Sequence, residues 1–396
     1  MFTSSPTVPF RRRLRASSSQ QLTPTAANAT IPPLAYLTRY RHDERYASRI
    51  CRQDPGVRPR MTVHFDPHWS YRGFQALVFE NALLRAVILP ELGAKIWSLV
   101  FKPADREMLW HNPRLPPRPA PFGARYDDWF CGGWDELFPN DAPVTIGGEP
   151  YPDHGELWSM PFAWDLVTST PSEVTIRLHR TGVVTPTQAE KWLTLRRDEP
   201  LLRIRYAFAN DGPVPLDFLW KLHPAVAIGP DSRIDLPAGR VIHADSYQEG
   251  FAEPAFIWPH THDPAGQPID MRRIPPPTAA TAHFYHAVEL TDGWCALTDT
   301  RDRVGFGLAF DPAILSSVCI FGAYGGWRGL YTTILEPCTG YPHDLAQAMH
   351  QQTCTRLEPG ARLETDVTAV LYQGVDQVLH ISRDGRVVRA HGRASD

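Results

Sequence analysis

Several features that would classify a chain quickly are missing here. The six cysteines (Cys51, Cys131, Cys295, Cys319, Cys338 and Cys354) contain no Cys-x-x-Cys pair and no zinc-ligand spacing. That argues against a disulfide framework or a structural metal and for reduced thiols in a cytoplasmic protein. No apolar run is long enough to span a membrane, and no signal-peptide core follows Met1. A formal net charge of -3 gives no electrostatic reason to expect nucleic acid or an anionic membrane as partner. Helical periodicity is almost absent, apart from a short candidate helix near 343–351, and no internal repeat of fixed period is evident.

What is present points to β structure. A hydrophobic content of 43% and a charged content of 21% are those of a globular protein, and 396 residues suffice for one large all-β domain or two ordinary ones. Prolines number 39, about twice the usual share, and there are 12 Trp, 13 Tyr and 18 Phe. Proline-rich, aromatic-rich chains with short apolar runs are loop-heavy β proteins, and clustered Trp is what carbohydrate sites use to stack on sugar faces.

Residues 1–60 differ from the rest, with eleven Arg, no Lys and three acidic residues among many Ser, Thr, Ala and Pro. That composition offers too little apolar area to offset chain entropy, so a disordered extension is expected. It reads either as a transit peptide or as sequence upstream of a start at Met61. The second is preferred, because strand-like sequence follows Met61 at once. The domain is then expected over 61–380, with a C-terminal tail over 381–396.

From 61 onward short runs recur at eight-to-twelve-residue spacing. They include 74–80, 83–89, 95–101, 173–179, 189–195, 202–208, 216–222, 282–290, 293–298, 305–310, 317–322, 330–335 and 363–372. Leu202, Ile204, Tyr206 and Phe208 alternate with Arg203, Arg205 and Ala207, a half-buried strand closed by the turn Asn210-Asp-Gly-Pro213. Such a series argues for a large β-sandwich. The span 127–154 reads as a long, nearly unstructured loop holding Trp129, Trp134, Asp135, Glu136, Asn140 and Asp153, and loops of that length are usually functional.

Three residues stand out as candidates for proton chemistry. Glu336-Pro337 follows an apolar run and is expected to end a strand, with Trp327, Tyr331 and Tyr341 nearby. In a half-desolvated cleft such a carboxyl rises in pKa and can act as a base; the bland reading is a solvated strand-end glutamate. His223-Pro224 is expected to end the strand 216–222 in the same way, against the bland reading of a satisfied core histidine. His154 lies in Tyr151-Pro-Asp-His-Gly-Glu-Leu-Trp158, where Gly155 permits a sharp turn and Asp153 can orient the imidazole. An acid, a base and a hydroxyl binder on one rim are what proton shuffling on a sugar requires.

The order of these motifs resembles the aldose 1-epimerase (galactose mutarotase-like) superfamily. A His-Gly loop is followed by an Asn-x-Gly-like turn, His-Pro at the next strand, Glu-Pro, and a late Leu357-Glu-Pro-Gly360 turn. The opening Asn81-Ala-Leu-Leu-Arg-Ala-Val-Ile-Leu-Pro-Glu-Leu-Gly-Ala-Lys-Ile-Trp-Ser-Leu99 is similar to that family's early hairpin, and the likeness covers about residues 70–375. It implies an all-β, galactose mutarotase-like β-supersandwich and interconversion of the anomers of an aldose without metal or organic cofactor. It assigns Glu336 as the base, His223 as the acid and His154 as a second, substrate-binding histidine. Arg125 is the candidate binding arginine, although it lacks the family's Asn-Arg context. Trp134, Trp327 or Tyr331 could stack on the ring, core packing being the bland reading for each. The segment Phe130-Cys-Gly-Gly-Trp-Asp-Glu-Leu-Phe-Pro-Asn140 departs from galactose-type members and leaves the sugar open.

Two rival readings remain at this level. One is a non-catalytic sugar-binding or sugar-sensing protein of the same fold. The other is a glycosidase or lyase built on Asp135, Glu136 and Glu336, which would need two carboxyls facing each other across a cleft. A metal site at His260-Thr-His-Asp263 is the weaker candidate, because Pro259 and Pro264 mark it as exposed loop.

Overall fold

The computed structural model describes residues 62–390. The extension expected over 1–60 lies outside them. Two large antiparallel sheets dominate, one of twelve strands and one of eight. The large all-β sandwich expected from the spacing of the runs is the observed architecture. The helix expected near 343–351 is a single short one, Leu345–Gln351, capped by the Asp344 carboxylate, which accepts from Gln347 N–H.

Strand alternation sorts the side chains between two faces of the larger sheet. Its centre runs through neighbouring strands Trp134–Leu137, Lys221–Val226, Tyr331–Cys338, Ser317–Tyr324 and Thr281–Leu290. Trp134, Leu222, Val226, Leu335, Val318, Ile320, Tyr285 and Ala287 point toward the eight-stranded sheet. There they share one core with Ile176, Leu178, Leu193, Leu202, Ile204, Phe208, Phe306 and Leu308 of that sheet. The intervening residues Lys221, His223, Ala225, Ile334, Glu336, Phe321 and Phe284 therefore project from the opposite face. The connection between 101 and 163 covers that face, contributing Tyr126, Phe130 and Trp158 to a second apolar cluster with Ala225, Ala323 and Ile334.

Several expectations need correction. Glu336-Pro337 does not end its strand, which continues to Cys338. His223 lies inside Lys221–Val226, because the run expected over 216–222 is split into Leu216–Phe218 and a separate central strand. The span 127–154 is not unstructured: it contains Trp134–Leu137, paired into the large sheet, and the hairpin Val144–Ile146 with Glu149–Tyr151. The expected tail over 381–396 is partly folded as well. Val387–Arg389 pairs with Val378–Ile381, and Val387 packs on a core cluster.

The turn expected at 210–213 has a structural partner far along the chain. Asn210 donates its side-chain amide to the carbonyls of Val214 and Leu357, and its own carbonyl accepts from Gly360 N–H. Gly360 takes a φ of 72°, which suits glycine, so the two late turns are tied together.

A buried charged contact lies between the sheets. Lys191 donates to Glu136 at 2.7 Å, and Tyr206 donates to the other oxygen of that carboxylate at 2.9 Å, all three residues being buried. Breaking a buried pair on one side strands the remaining charge, so Lys191→Met should destabilise the fold by about 3–5 kcal/mol. Lys191→Met combined with Glu136→Leu should recover most of that loss, as denaturant unfolding of both variants will test.

Candidate functional site

The face of the large sheet turned away from the main core carries a cavity of about 210 Å³. Its floor comes from adjacent strands. His223 and Lys221 are two residues apart and so share a face, and Glu336 lies on the neighbouring strand beside them. Its walls come from the covering connection (Tyr126, Asp127, Phe130, Asp141, Asp153 and His154) and from Phe284, Phe321, Trp327 and Tyr247.

The Lys221 ammonium is buried. It donates to Asp141 at 2.5 Å and reaches Glu336 at 3.4 Å. Asp141 holds it charged, and Lys221 in turn pulls the Asp141 carboxyl below its ordinary range against the effect of burial. Glu336 lies farther from that ammonium. Burial dominates, with the Asp141 charge adding to it, and lifts the Glu336 carboxyl to about 7 even though Lys221 opposes the rise.

His154 and His223 are driven in opposite directions. Burial, helped by the positive His154 and Lys221, pushes His223 well below the usual imidazole value. Burial alone would lower His154 too, but Asp153 accepts from its Nδ1 at 2.8 Å, Asp141 lies 3.7 Å from its Nε2, and the result is a raised pKa. The His154 backbone sits at a φ of 60° with Gly155 at 71°. A Cβ at Gly155 would come within 2.1 Å of the Phe138 carbonyl oxygen, and His154 N–H donates to the Asp141 carbonyl at 2.7 Å. Only glycine allows that approach, and it locks the His154 turn against the Asp141 segment.

Tyr126 links both rings. It stacks on His154 with centroids 4.1 Å apart and planes at 7°, while its hydroxyl lies 3.0 Å from His223 Nδ1 and donates to Asp135 at 2.8 Å. His223 Nε2, on the other side of the ring, lies 4.0 Å from a Glu336 oxygen.

Of the residues singled out from sequence, Glu336, His223, His154, Asp153 and Trp327 meet at this cavity. Trp134 does not: it is fully buried between the sheets, edge-on to Phe306, and cannot stack on a ligand. Tyr331 lies outside the lining and donates its hydroxyl to the Pro275 carbonyl. Arg125 is exposed and also outside the lining. The arginine near the mouth is Arg328, which donates to the Asp127 carbonyl and pairs with Asp128. Asp135 and Glu136 occupy opposite faces of one strand, held by Lys95 and Lys191, so they do not face each other across a cleft. His260 and His262 are exposed on a short strand, and among the described residues no group of three or more His, Cys, Asp or Glu gathers in a metal-holding arrangement.

Sequence reasoning missed Tyr126, Asp141 and Lys221. A signal existed for Lys221, a lysine in an apolar run two residues before His223 and hence on its face of the strand. Tyr126 and Asp141 reach the site only through the path of the covering connection.

No family model matches the chain. Solved structures do. A candidate aldose 1-epimerase of Klebsiella pneumoniae subsp. pneumoniae superposes with a TM-score of 0.64 at 17% identity, covering 78% of this chain and 83% of that one. A galactose mutarotase-like protein of Clostridium acetobutylicum gives 0.58 at 12% identity, covering 79% and 99%. A galactose mutarotase related enzyme of Lactobacillus acidophilus gives 0.53 at 17% identity, covering 76% and 99%. At such identities the likeness speaks for architecture alone: the chain has a galactose mutarotase-like fold.

Proposed function

We propose that this protein is an aldose 1-epimerase that interconverts the α and β anomers of an uncharged monosaccharide in this cavity. The observation that carries the reading is the juxtaposition of the Glu336 carboxyl and His223 Nε2, 4.0 Å apart on the floor of the cavity. Opening a cyclic hemiacetal takes a proton from O1 and delivers one to the ring oxygen, and both atoms are bonded to C1. Two proton-transfer groups this close can address them together. Rotation about C1–C2 and reclosure with the roles reversed gives the other anomer, and no cofactor is required.

Size and charge narrow the substrate. The cavity is small beside the roughly 300–1,000 Å³ of sites for drug-sized ligands, which suits one sugar ring. Trp327, Phe321, Phe284 and Phe130 offer apolar faces for the ring's C–H side, and His154, Asp141 and Asp153 offer partners for hydroxyls. Four carboxyl groups line the cavity (Asp127, Asp141, Asp153 and Glu336), with no Lys or Arg among the lining residues and Lys221 already bound to two of them. A phosphate dianion would be repelled there.

Two outcomes follow. Glu336→Gln keeps size and hydrogen bonding but cannot carry the proton, so anomer exchange should fall by about 10²–10⁴-fold while sugar affinity changes little. Saturation-transfer NMR and calorimetry on the same protein measure both. If the unmodified protein binds aldoses yet never exceeds their spontaneous exchange, the chain is a sugar-binding protein instead. Phosphorylated aldoses should be exchanged at least about tenfold less efficiently than their free forms, with the gap narrowing as salt screens the lining.

A further inference from the structure

The pair of Glu336 and His223 occupies one end of the cavity floor, and the register of the large sheet shows what stands at the other. The strands Lys221–Val226, Tyr331–Cys338, Ser317–Tyr324 and Thr281–Leu290 are successive neighbours. Lys221 pairs with Cys338 and Ala225 with Ile334, which puts His223 opposite Glu336. Glu336 in turn pairs with Cys319, and Cys319 with His286. His223, Glu336, Cys319 and His286 thus form one row across the sheet. At roughly 4.8 Å per strand, the His286 backbone lies about 10 Å from that of Glu336 and about 14 Å from that of His223.

A third histidine, His343, covers that far end. Its ring centroid lies 6.0 Å from that of His286 with planes at 11°, and 5.0 Å from that of Phe284, two residues before His286 on the same face. The backbone is held on both sides of the ring. The His343 carbonyl accepts from Ala142 N–H at 3.3 Å, and the next residue, Asp344, caps the helix Leu345–Gln351. His343 Nδ1 is buried without a partner, which leaves Nε2 as the nitrogen through which the ring can bond at the cavity it lines. His286 behind it has both ring nitrogens buried and unpartnered, so it acts only as a wall. A polar ring set among aromatic neighbours costs stability unless its reachable atom finds a partner.

We propose that His343 is a substrate-binding residue whose Nε2 bonds the hydroxyl on C4 or C6 of an aldohexose held with C1 at Glu336 and His223, and that this bond sets which aldoses the cavity accepts. The proposal rests on the cavity being a sugar site. C4 lies across a pyranose ring from C1, and C6 extends from that side, so a ring anchored by C1 at one end of the floor carries these hydroxyls toward the other. Burial holds the His343 imidazole below its ordinary pKa, although Asp141 favours a proton on it. At neutral pH the ring therefore offers a hydrogen bond without a charge. A hydroxyl both donates and accepts, so it fits either tautomer of such a ring.

The test is a double-mutant cycle between protein and sugar, read by calorimetry on the full-length chain. The ligands are the best-bound aldohexose and its 2-deoxy, 4-deoxy and 6-deoxy forms; the proteins are the unmodified chain, His343→Phe and His343→Gln. His343→Phe should weaken binding of the parent hexose about tenfold, as expected for one hydrogen bond. Either the 4-deoxy or the 6-deoxy sugar should lose the same factor on the unmodified protein and nothing further on His343→Phe. The loss caused by the 2-deoxy sugar should instead add to that of the variant. His343→Gln, whose amide nitrogen stands near the place of Nε2, should recover part of the affinity. In anomer exchange the loss should fall on KM more than on kcat. Should His343→Phe fail to fold, His343→Ala takes its place in the cycle. A loss shared equally by the parent and all three deoxy sugars marks His343 as a packing residue and overturns the proposal. Unchanged affinity in the folded variants, or coupling to the 2-hydroxyl alone, overturns it as well. If the unmodified protein binds hexoses but never exchanges their anomers, the epimerase reading fails while the cycle still decides the role of His343. If no aldose binds, the sugar site and the proposal fall together.

Discussion

The Lys221 ammonium, buried on the large sheet and held between Asp141 and Glu336, is the constraint on which the site depends. A charge removed from water must be matched, and several kcal/mol are lost if it is not. Asp141 supplies the match at close range, and the same interaction pins the covering connection to the sheet beneath it. Glu336 then faces an ammonium already engaged elsewhere, which is why burial prevails and its carboxyl rises into the neutral range. His154 is bound into the same network through Asp141 and Asp153. Its positive charge helps keep His223 neutral. One lysine thus ties into a single network a carboxyl and two imidazoles, with burial the largest influence on the protonation of Glu336 and His223.

The architecture provides two faces for two purposes. Leu222, Leu335 and Trp134 face the eight-stranded sheet and contribute to stability, while their sequence neighbours Lys221, His223, Glu336 and Asp135 turn to the covered outer face. Because strand side chains alternate, a one-residue register slip would exchange these sets and place charges in the core. The fold and the site are specified by the same period.

The strands were legible because alternation is local: Leu201–Asn210 and Thr281–Leu290 match the runs read from sequence to within a few residues. Glu336, His223 and His154 were legible because Glu-Pro, His-Pro and His-Gly are local signatures. Their setting was not. Both strand residues were read as rim groups, yet they lie within central strands, since proline at 224 and 337 is accommodated inside the sheet. Trp134 was read as a sugar platform because a tryptophan in a presumed loop looks exposed; pairing of Trp134–Leu137 into the sheet turns it inward. Asp141 and Tyr126 depend on contacts spanning some 80 to 200 residues of chain, with Lys221, Glu336 and His223, and no short pattern encodes those.

The central claim is that burial, and not a hydrogen bond or an unusual fold, makes Glu336 a proton carrier near neutrality. Its most direct measurement is a carboxyl-carbon NMR titration of the full-length protein labelled in glutamate, with Glu336 assigned by difference from Glu336→Gln. A midpoint near 7 is predicted. A midpoint near the unperturbed glutamate value of about 4.3 would show that Lys221 compensates the carboxyl fully, and it would contradict the account.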